Sequence, residues 1–306
     1  MKLRFWGVRG SIPTPGDTTV KYGGNTTCLE IRGDNDELLI IDAGTGIKPL
    51  GDFIMKYDAP HNPLDIEILL SHTHWDHIQG FPFFAPAYLA SSKITVYGPV
   101  NFSEKLEDIL IGDFNMKYFP IRLQELRAKI EFKELQESTF KIGKFNISST
   151  YLNHPILDLG YRIEYNGKII VTMFDTEPYR NTFADDLDVD DMDEFDRQVF
   201  EEAQDEVNKR IAKQKEHAQD ADILIYDSQY KEDEYNTKLG WGHSYIEYAV
   251  RSASEANVKK LALFHHDPMR NDRSVDEFQN SAIKFAKSIG FESEIFCARE
   301  RLEVVI

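Results

Sequence analysis

Four side chains that can bind a metal ion lie close together in the run Ser71-His72-Thr73-His74-Trp75-Asp76-His77. Imidazole and carboxylate groups at this density are the ligands that zinc and related divalent metals prefer. Alternate side chains of an extended segment point the same way, so His72 and His74 can bind one ion. The bend that follows turns Asp76 and His77 toward a second ion. The alternative is a cluster of surface histidines without a metal.

The segment before this run indicates where it lies in the fold. It contains the apolar residues Ile66, Ile68, Leu69 and Leu70. Such a run is typical of a buried strand in an α/β sheet. Active sites of open α/β sheets collect at the carboxyl ends of strands, so the metal-binding run sits where a catalytic site is expected.

Strand and helix patterns alternate along the chain and must position these residues. The sequence predicts strands near 2–8, 26–33, 37–42, 66–70, 94–97, 145–152, 161–165, 168–174, 222–226 and 260–264. It predicts helices near 46–57, 102–112, 194–217 and 274–288. The 306 residues include 42% hydrophobic residues and no linker rich in Pro, Gly or Ser. A single domain over 1–306, with an acidic insertion at about 177–220, is the simplest interpretation.

The pattern His-x-His-x-Asp-His resembles the signature of the metallo-β-lactamase superfamily, and the resemblance extends along nearly the whole chain. It implies an α/β fold, the four-layer αββα sandwich of that family. It also implies further ligands in a fixed order, each beyond a strand, and His154, Asp175 and His265 occupy such positions. The likeness assigns one ion to His72, His74 and His154, the other to Asp76, His77 and His265, and a bridging position to Asp175.

The resemblance implies two divalent metal ions, with zinc as the first choice and manganese or iron as alternatives. Two ions about 3.5 to 4 Å apart can neutralise phosphoryl oxygens and turn water into a nucleophile. Binding to zinc lowers the pKa of water from 15.7 toward roughly 7, which makes a metal-bound hydroxide the expected nucleophile.

Residues outside the ligand set resemble the phosphodiesterase branch of the superfamily, which contains the tRNA 3′-processing ribonuclease Z and enzymes acting on cyclic nucleotides. They are Trp241-Gly242-His243-Ser244, Asp227-Ser228-Gln229-Tyr230 and Phe264-His265-His266-Asp267-Pro268. We expect His243 to contact a phosphoryl oxygen or to protonate the leaving group, and Asp227 to orient His243. A loop cap is the alternative role for Asp227, where ribonuclease Z has a glutamate. With Asp76, these two residues form the expected catalytic set.

Charge guides the choice of substrate within this branch. The chain has a net charge of −17, and residues 185–206 hold twelve Asp or Glu against Arg197 alone. This window predicts a solvated acidic helix, or alternatively a cap over the site. Because phosphate neutralisation supplies much of nucleic-acid affinity, the acidity disfavours long nucleic acid. We therefore expect a small-molecule phosphodiester, a 3′,5′-cyclic nucleotide, with tRNA 3′ processing and lactone or thioester hydrolysis as alternatives.

Several weaker expectations complete the sequence analysis. No apolar signal segment or run of about 18 apolar residues is present, which favours a cytoplasmic protein with no membrane partner. Cys28 and Cys297 lie among apolar residues and are expected to be reduced core residues. Relatives in the branch are commonly dimers, which implies a homodimer. The Gly-rich stretches 7–16 and 22–27 resemble loops that border the site, although tight turns explain their glycines equally well. The aromatic segment 80–86 is expected in the core or in a pocket wall.

Overall fold

A computed structural model of the chain describes residues 1–61, 63–101, 103–113, 122, 125–184 and 192–306. Its strands, in chain order, are β1 Lys2–Gly7, β2 Cys28–Arg32, β3 Leu38–Ile41, β4 Asp65–Leu69, β5 Lys93–Pro99, β6 Lys129–Leu135, β7 Thr139–Ile142, β8 Phe145–Tyr151, β9 Leu159–Tyr165, β10 Lys168–Met173, β11 Ile223–Asp227, β12 Lys260–Phe264, β13 Glu294–Cys297 and β14 Glu303–Val305. Its helices are α1 Ile47–Tyr57, α2 Trp75–Ile78, α3 Leu106–Asp113, α4 Glu194–Ala218, α5 Glu232–Tyr235, α6 Ile246–Glu255 and α7 Asp272–Ser288.

The strands form two seven-stranded sheets. The first has the order β14-β1-β2-β3-β4-β5-β6, and the second β13-β12-β11-β10-β9-β8-β7. In the first sheet β3 to β6 are parallel neighbours, and in the second β10 to β13 are parallel neighbours. Parallel strands end at the same edge, so each sheet presents several carboxyl ends side by side.

Alternation of side chains along the strands builds three apolar layers. Leu39 and Ile41 of β3 face the layer between the two sheets, whereas Ile40 faces α1 on the outside. In β11, Ile223 and Ile225 likewise face the first sheet, and Leu224 faces α6 and α7. Helices therefore cover both outer faces, and the predicted four-layer αββα sandwich is confirmed.

The structure has elements that the sequence patterns did not predict. The strands β6, β7, β13 and β14 were not anticipated. The predicted helix near 102–112 appears as Leu106–Asp113, and the predicted helix near 194–217 as Glu194–Ala218. Five acidic residues of the insertion lie outside the described residues, namely Asp185, Asp186, Asp188, Asp190 and Asp191.

Burial settles several of the weaker sequence expectations. Cys28 and Cys297 are both buried and unpaired thiols. In the aromatic segment, Phe81 and Phe84 are core residues, whereas the side chain of Phe83 is 56% exposed. Among the residues described above, none of the helices combines the length and apolar character that a membrane crossing requires.

Candidate metal centre

The carboxyl ends of five strands converge at one edge of the sandwich. His72 and His77 follow β4 of the first sheet, whereas the residues that follow strands of the second sheet are His154 after β8, Asp175 after β10, Asp227 at the end of β11 and His265 after β12. These residues are buried except His154, which is partly exposed, as is His74. The sequence-predicted ligands are thus brought together from separate segments.

One group of potential ligand atoms comprises His72, His74, His154 and Asp175. The Nδ1 atom of His74 lies 3.0 Å from the Nε2 atom of His154. The Nε2 atom of His72 lies 3.6 Å from Oδ2 of Asp175. Two ring nitrogens at such a separation fit two ligands of one cation.

A second group comprises Asp76, His77, Asp175 and His265. The Nε2 atom of His265 lies 3.2 Å from Oδ2 of Asp76 and 3.1 Å from Oδ1 of Asp175. The Nε2 atom of His77 lies 3.4 Å and 3.3 Å from the same two oxygens. Asp175 belongs to both groups, one oxygen facing each, which is the arrangement of a carboxylate between two ions.

Unsatisfied buried atoms support the presence of cations at this place. Nε2 of His72, Nε2 of His77 and Oδ1 of Asp175 are buried and have no hydrogen-bond partner among the described residues. A buried polar atom without a partner costs about 1–3 kcal/mol of folding free energy. Three such atoms in one cluster, each with a lone pair to donate, are the partners that a bound cation requires. The donor set of imidazole and carboxylate fits two divalent metal ions.

Hydrogen bonds behind the rings fix how the imidazoles face the cluster. His77 Nδ1 donates to Asp42 Oδ2 at 2.7 Å, and His265 Nδ1 donates to Gln229 Oε1 at 3.0 Å. His154 Nδ1 donates to the carbonyl of Gly242 at 2.9 Å. Each contact occupies Nδ1 and leaves Nε2 for a metal, as partners behind ligating histidines generally do.

His72 is held by a short chain of polar groups. Its Nδ1 lies 3.0 Å from Ser71 Oγ and 3.3 Å from Oδ2 of the buried Asp158. Ser71 in turn donates through Oγ to Asp42 Oδ2 at 2.8 Å. Asp42 thereby positions rings on both metal groups, His77 directly and His72 through Ser71.

The electrostatics of the cluster favour the ligand forms of His72, His154 and Asp175. Burial lowers the pKa of His72 well below its usual value and that of His154 to about 4, so both rings are neutral. Burial alone would raise the pKa of Asp175, but the imidazoles of His265 and His77 hold it well below its usual value. Burial opposes the charged form of His77, yet Asp175, Asp76 and Asp42 raise its pKa well above the ordinary value. The surrounding carboxylates therefore favour positive charge at His77, which a bound cation would supply.

His243 lies beside the cluster and pairs with Asp227. Its Nδ1 is 2.9 Å from Asp227 Oδ2 and 3.9 Å from Asp175 Oδ2. Burial lowers the pKa of His243, but Asp227 and then Asp175 outweigh burial and raise the pKa to about 9. Burial raises the pKa of Asp227 in the same pair. Nδ1 of His243 therefore donates to Asp227 Oδ2, and the pair favours the charged form of the imidazole.

Glu177 holds the loop that carries His243, and the sequence analysis missed it. Its buried carboxylate accepts hydrogen bonds from the hydroxyl of Tyr235 at 2.8 Å, the amide of Gly240 at 2.8 Å and the amide of Gly242 at 3.1 Å. The Gly242 carbonyl is the acceptor for His154. A signal was available, because Glu177 follows Asp175 by two positions at the same strand end.

Close backbone approach and a strained backbone mark the two sides of the centre. A Cβ atom at Gly10 would collide with the imidazole of His265, and one at Gly242 with that of His154. His265, Asp42 and Ser11 adopt left-handed backbone conformations, with φ of 62°, 60° and 63°. Non-glycine residues in this region cost about 1–3 kcal/mol each and collect at functional sites. The amide of Ser11 donates to Asp76 Oδ2 at 2.7 Å, so the Gly-rich stretch 7–16 contacts the centre.

Comparison with known proteins agrees with this geometry. The sequence profile of the β-lactamase superfamily domain matches residues 38–202. Ribonuclease Z from Thermoplasma volcanium is 26% identical to the chain, over 92% of this chain and 94% of the relative. In fold, yeast PDE1 matches 100% of the chain and 99% of its own length at 14% identity, with a TM-score of 0.66. The short form of human tRNase Z matches 100% and 99% at 17% identity, with a TM-score of 0.61.

The expectation of a small-molecule substrate, with long nucleic acid disfavoured, is wrong. Relatives that match about nine-tenths of the chain are named ribonuclease Z, a nuclease of RNA. The physical error was to treat net charge as a property of the site. A net charge of −17 is a sum over the surface, whereas the charge that a substrate meets is set by nearby side chains and by bound cations.

We predict that both metal groups lose cations when a ligand is removed. His74→Ala and His265→Ala should each bind fewer metal ions per chain than the unmodified protein, because each substitution removes one imidazole from one group. Elemental analysis after dialysis measures the content. His61→Ala, which removes an exposed histidine, is the control and should keep full content. Full metal content in both ligand variants would refute the assignment.

A second prediction concerns Glu177. Glu177→Gln replaces one acceptor oxygen by an NH2 group that faces the Gly240 and Gly242 amides, so the loop should lose its anchor. We expect metal content to persist and phosphodiester hydrolysis to fall about 10 to 100-fold, the range for a residue that orients a functional group. Glu216→Gln, at an exposed position of α4, is the matched control. Unchanged kcat in Glu177→Gln would show that the anchor is dispensable.

Proposed function

The chain belongs to the metallo-β-lactamase superfamily and is a metal-dependent hydrolase, and from this premise we propose that it is a ribonuclease Z-like phosphodiesterase that cleaves RNA. The ligands are assigned as above, with His72, His74 and His154 for one ion, Asp76, His77 and His265 for the other, and Asp175 between them. We propose zinc as the metal, since imidazole and carboxylate in this proportion suit it.

The observation that carries the proposal is the pair of His243 and Asp227 beside the ligand groups. Phosphodiester hydrolysis releases an alkoxide, which needs a proton as the bond to phosphorus breaks. His243 can supply it, because Asp175 and Asp227 keep its pKa at about 9 and the ring is charged at neutral pH. Asp227 holds Nδ1, which leaves Nε2 as the nitrogen that donates to the leaving oxygen.

The remaining requirements are a nucleophile and neutralisation of the phosphoryl oxygens. Two divalent ions would supply both, by lowering the pKa of water and by acting as Lewis acids. Among the protein groups, Asp76 accepts from the Ser11 amide with Oδ2, and we propose that its other oxygen, Oδ1, orients the attacking water. As the water oxygen bonds to phosphorus, a water proton passes to solvent. As the bond from phosphorus to the leaving oxygen breaks, the proton from His243 passes to that oxygen, and His243 then takes a proton from solvent, which completes the cycle.

RNA is the favoured substrate because the relatives in sequence that match about nine-tenths of the chain are named ribonuclease Z. A 3′,5′-cyclic nucleotide is the second candidate. It has a single phosphate, whose charge would need neutralisation only at the two metal groups. Lactone or thioester hydrolysis would share the metals but gives no role to a charged His243.

We predict that His243→Ala keeps its metals and loses RNA cleavage by about 10² to 10⁴-fold, the range for a lost general acid or oxyanion donor. Asp227→Asn should lose about 10 to 100-fold, because it orients His243 and does not donate the proton itself. Single-turnover rates and metal analysis on the same preparations check both statements.

The choice of leaving group separates the possible roles of His243. Bis(p-nitrophenyl) phosphate releases p-nitrophenolate, which needs no proton to leave at neutral pH. A general acid therefore predicts a much smaller loss on this compound than on RNA. An equal loss on both would assign His243 to a phosphoryl oxygen instead. Unchanged turnover on both would remove His243 from the mechanism and favour the lactone or thioester alternative.

A substrate panel tests the proposal itself. Purified, metal-loaded protein should cleave precursor tRNA and bis(p-nitrophenyl) phosphate, with weaker or no turnover of 3′,5′-cyclic nucleotides and of a homoserine lactone. The products of tRNA cleavage are resolved on a denaturing gel. Efficient hydrolysis of cyclic nucleotides with no cleavage of RNA would reject the RNA assignment while leaving the metal centre intact.

A further inference from the structure

A cavity of about 660 Å³ opens directly beside the metal centre. It is lined by Thr73, which lies between two ligands, and by the ligand His154. This volume lies within the range of small-molecule sites, about 300 to 1,000 Å³. Because one wall is a metal ligand, a group bound in this cavity is adjacent to a phosphodiester held at the metals.

The lining of the cavity is suited to a flat, mostly apolar group. One part is formed by the phenol rings of Tyr151 and Tyr179, and another by Pro155, Ile156 and Leu157. Nucleobases stack on aromatic rings and on apolar side chains with little dependence on their sequence. The Tyr179 hydroxyl donates to the carbonyl of Tyr151 at 3.5 Å, which sets one ring against the backbone of the other.

Arg210 brings a positive charge to the edge of this cavity. It is the one lysine or arginine among the described residues that line the cavity. Its Nε is 2.9 Å from Glu206 Oε1, the side chain is 46% exposed, and it forms a side-chain hydrogen bond with Tyr179. A guanidinium at an open edge can bind a phosphate or a base carbonyl.

The position of Arg210 is fixed by the packing of α4. Gln214 contacts Thr176, the neighbour of Asp175, at 3.5 Å through its Nε2 atom, and Lys213 pairs with Glu137 at 2.6 Å. The segment 207–215 contains Lys209, Arg210, Lys213 and Lys215 and no acidic residue. The acidic insertion therefore contains a short basic segment, and Arg210 of that segment lines the cavity beside the metal centre.

We propose that this cavity binds one nucleoside of a single-stranded RNA segment next to the scissile phosphodiester, with Arg210 on the neighbouring phosphate. The inference rests on the proposed function, because it identifies the cavity as a substrate site of the same centre. It assigns to the insertion a role in binding RNA. A mononucleotide with a single phosphate at the metals would leave Arg210 without a phosphate.

Binding of RNA tests the proposal independently of turnover. The probe is a short fluorescein-labelled oligoribonucleotide, titrated with metal-loaded His243→Ala protein and followed by fluorescence anisotropy. Arg210→Ala and Ile156→Trp, added separately to that background, should each weaken binding about tenfold, the first by removing a phosphate contact and the second by filling the cavity. Lys209→Ala is the matched control, since it removes the same charge from the adjacent position outside the cavity, and its affinity should be unchanged.

The outcomes separate this proposal from the function on which it rests. Equal affinity in Arg210→Ala, Ile156→Trp and the control overturns the nucleoside site, even if the enzyme cleaves RNA. Equal weakening in Lys209→Ala and Arg210→Ala overturns it as well, because the effect would then be one of general charge. When His243 is retained, Arg210→Ala and Ile156→Trp should each raise the KM for RNA more than the KM for bis(p-nitrophenyl) phosphate, because the latter has no nucleoside. If the unmodified protein binds RNA specifically but does not cleave it, the proposed RNA cleavage is refuted and the nucleoside site still stands.

Discussion

The buried carboxylate of Asp175 is the interaction on which the rest of the site depends. Its two oxygens lie between 3.1 and 3.9 Å from ring nitrogens of His265, His77, His72 and His243. An ionised carboxylate in a sandwich core is costly unless positive charge surrounds it. Two of these rings follow β4 of the first sheet, and Asp175 follows β10 of the second. Charge compensation therefore holds the carboxyl ends of the two sheets together at this edge.

The groups behind the rings explain how this arrangement can be specific. An imidazole alone could present either nitrogen to a cation, and the choice is made by the partner of the other nitrogen. Asp42, Gln229 and the Gly242 carbonyl each occupy Nδ1 of a different histidine. His74 is the exception, since its Nδ1 is the atom that faces His154. Asp42 directly follows β3 and Gln229 follows β11, whereas Gly242 lies on the loop that Glu177 anchors. Two strand ends and this loop thus determine the geometry of the centre.

Local spacing in the sequence predicted the ligand cluster from His72 to His77, which is visible within one segment. The resemblance to the metallo-β-lactamase superfamily was needed for the ligands at later strand ends, namely His154, Asp175 and His265. The partners behind them were not predictable in this way. Asp42 and His77 are 35 positions apart, and Glu177 and Gly242 are 65 apart, so their pairing exists only once both sheets have formed. The same reason hides β14, a strand of three residues that pairs with β1 from the opposite end of the chain. Net charge failed as a guide to substrate because it does not say where on the surface the charges lie. Arg210 is a basic side chain of an acidic insertion, yet it lines the cavity beside the metal centre.

The pair of Asp227 and His243 shows how a shorter carboxylate can keep its role. By its resemblance to ribonuclease Z, this strand end has aspartate where that enzyme has glutamate, and one methylene of reach is missing. The end of β11 cannot move to compensate, because β10 and β12 pair with it on both sides. The loop that carries His243 must therefore come to the strand. Glu177 binds that loop through two amides, and the separation between Nδ1 of His243 and Oδ2 of Asp227 is 2.9 Å. Glu177 and Asp227 therefore hold the same loop, the first through two backbone amides and the second through the imidazole of His243.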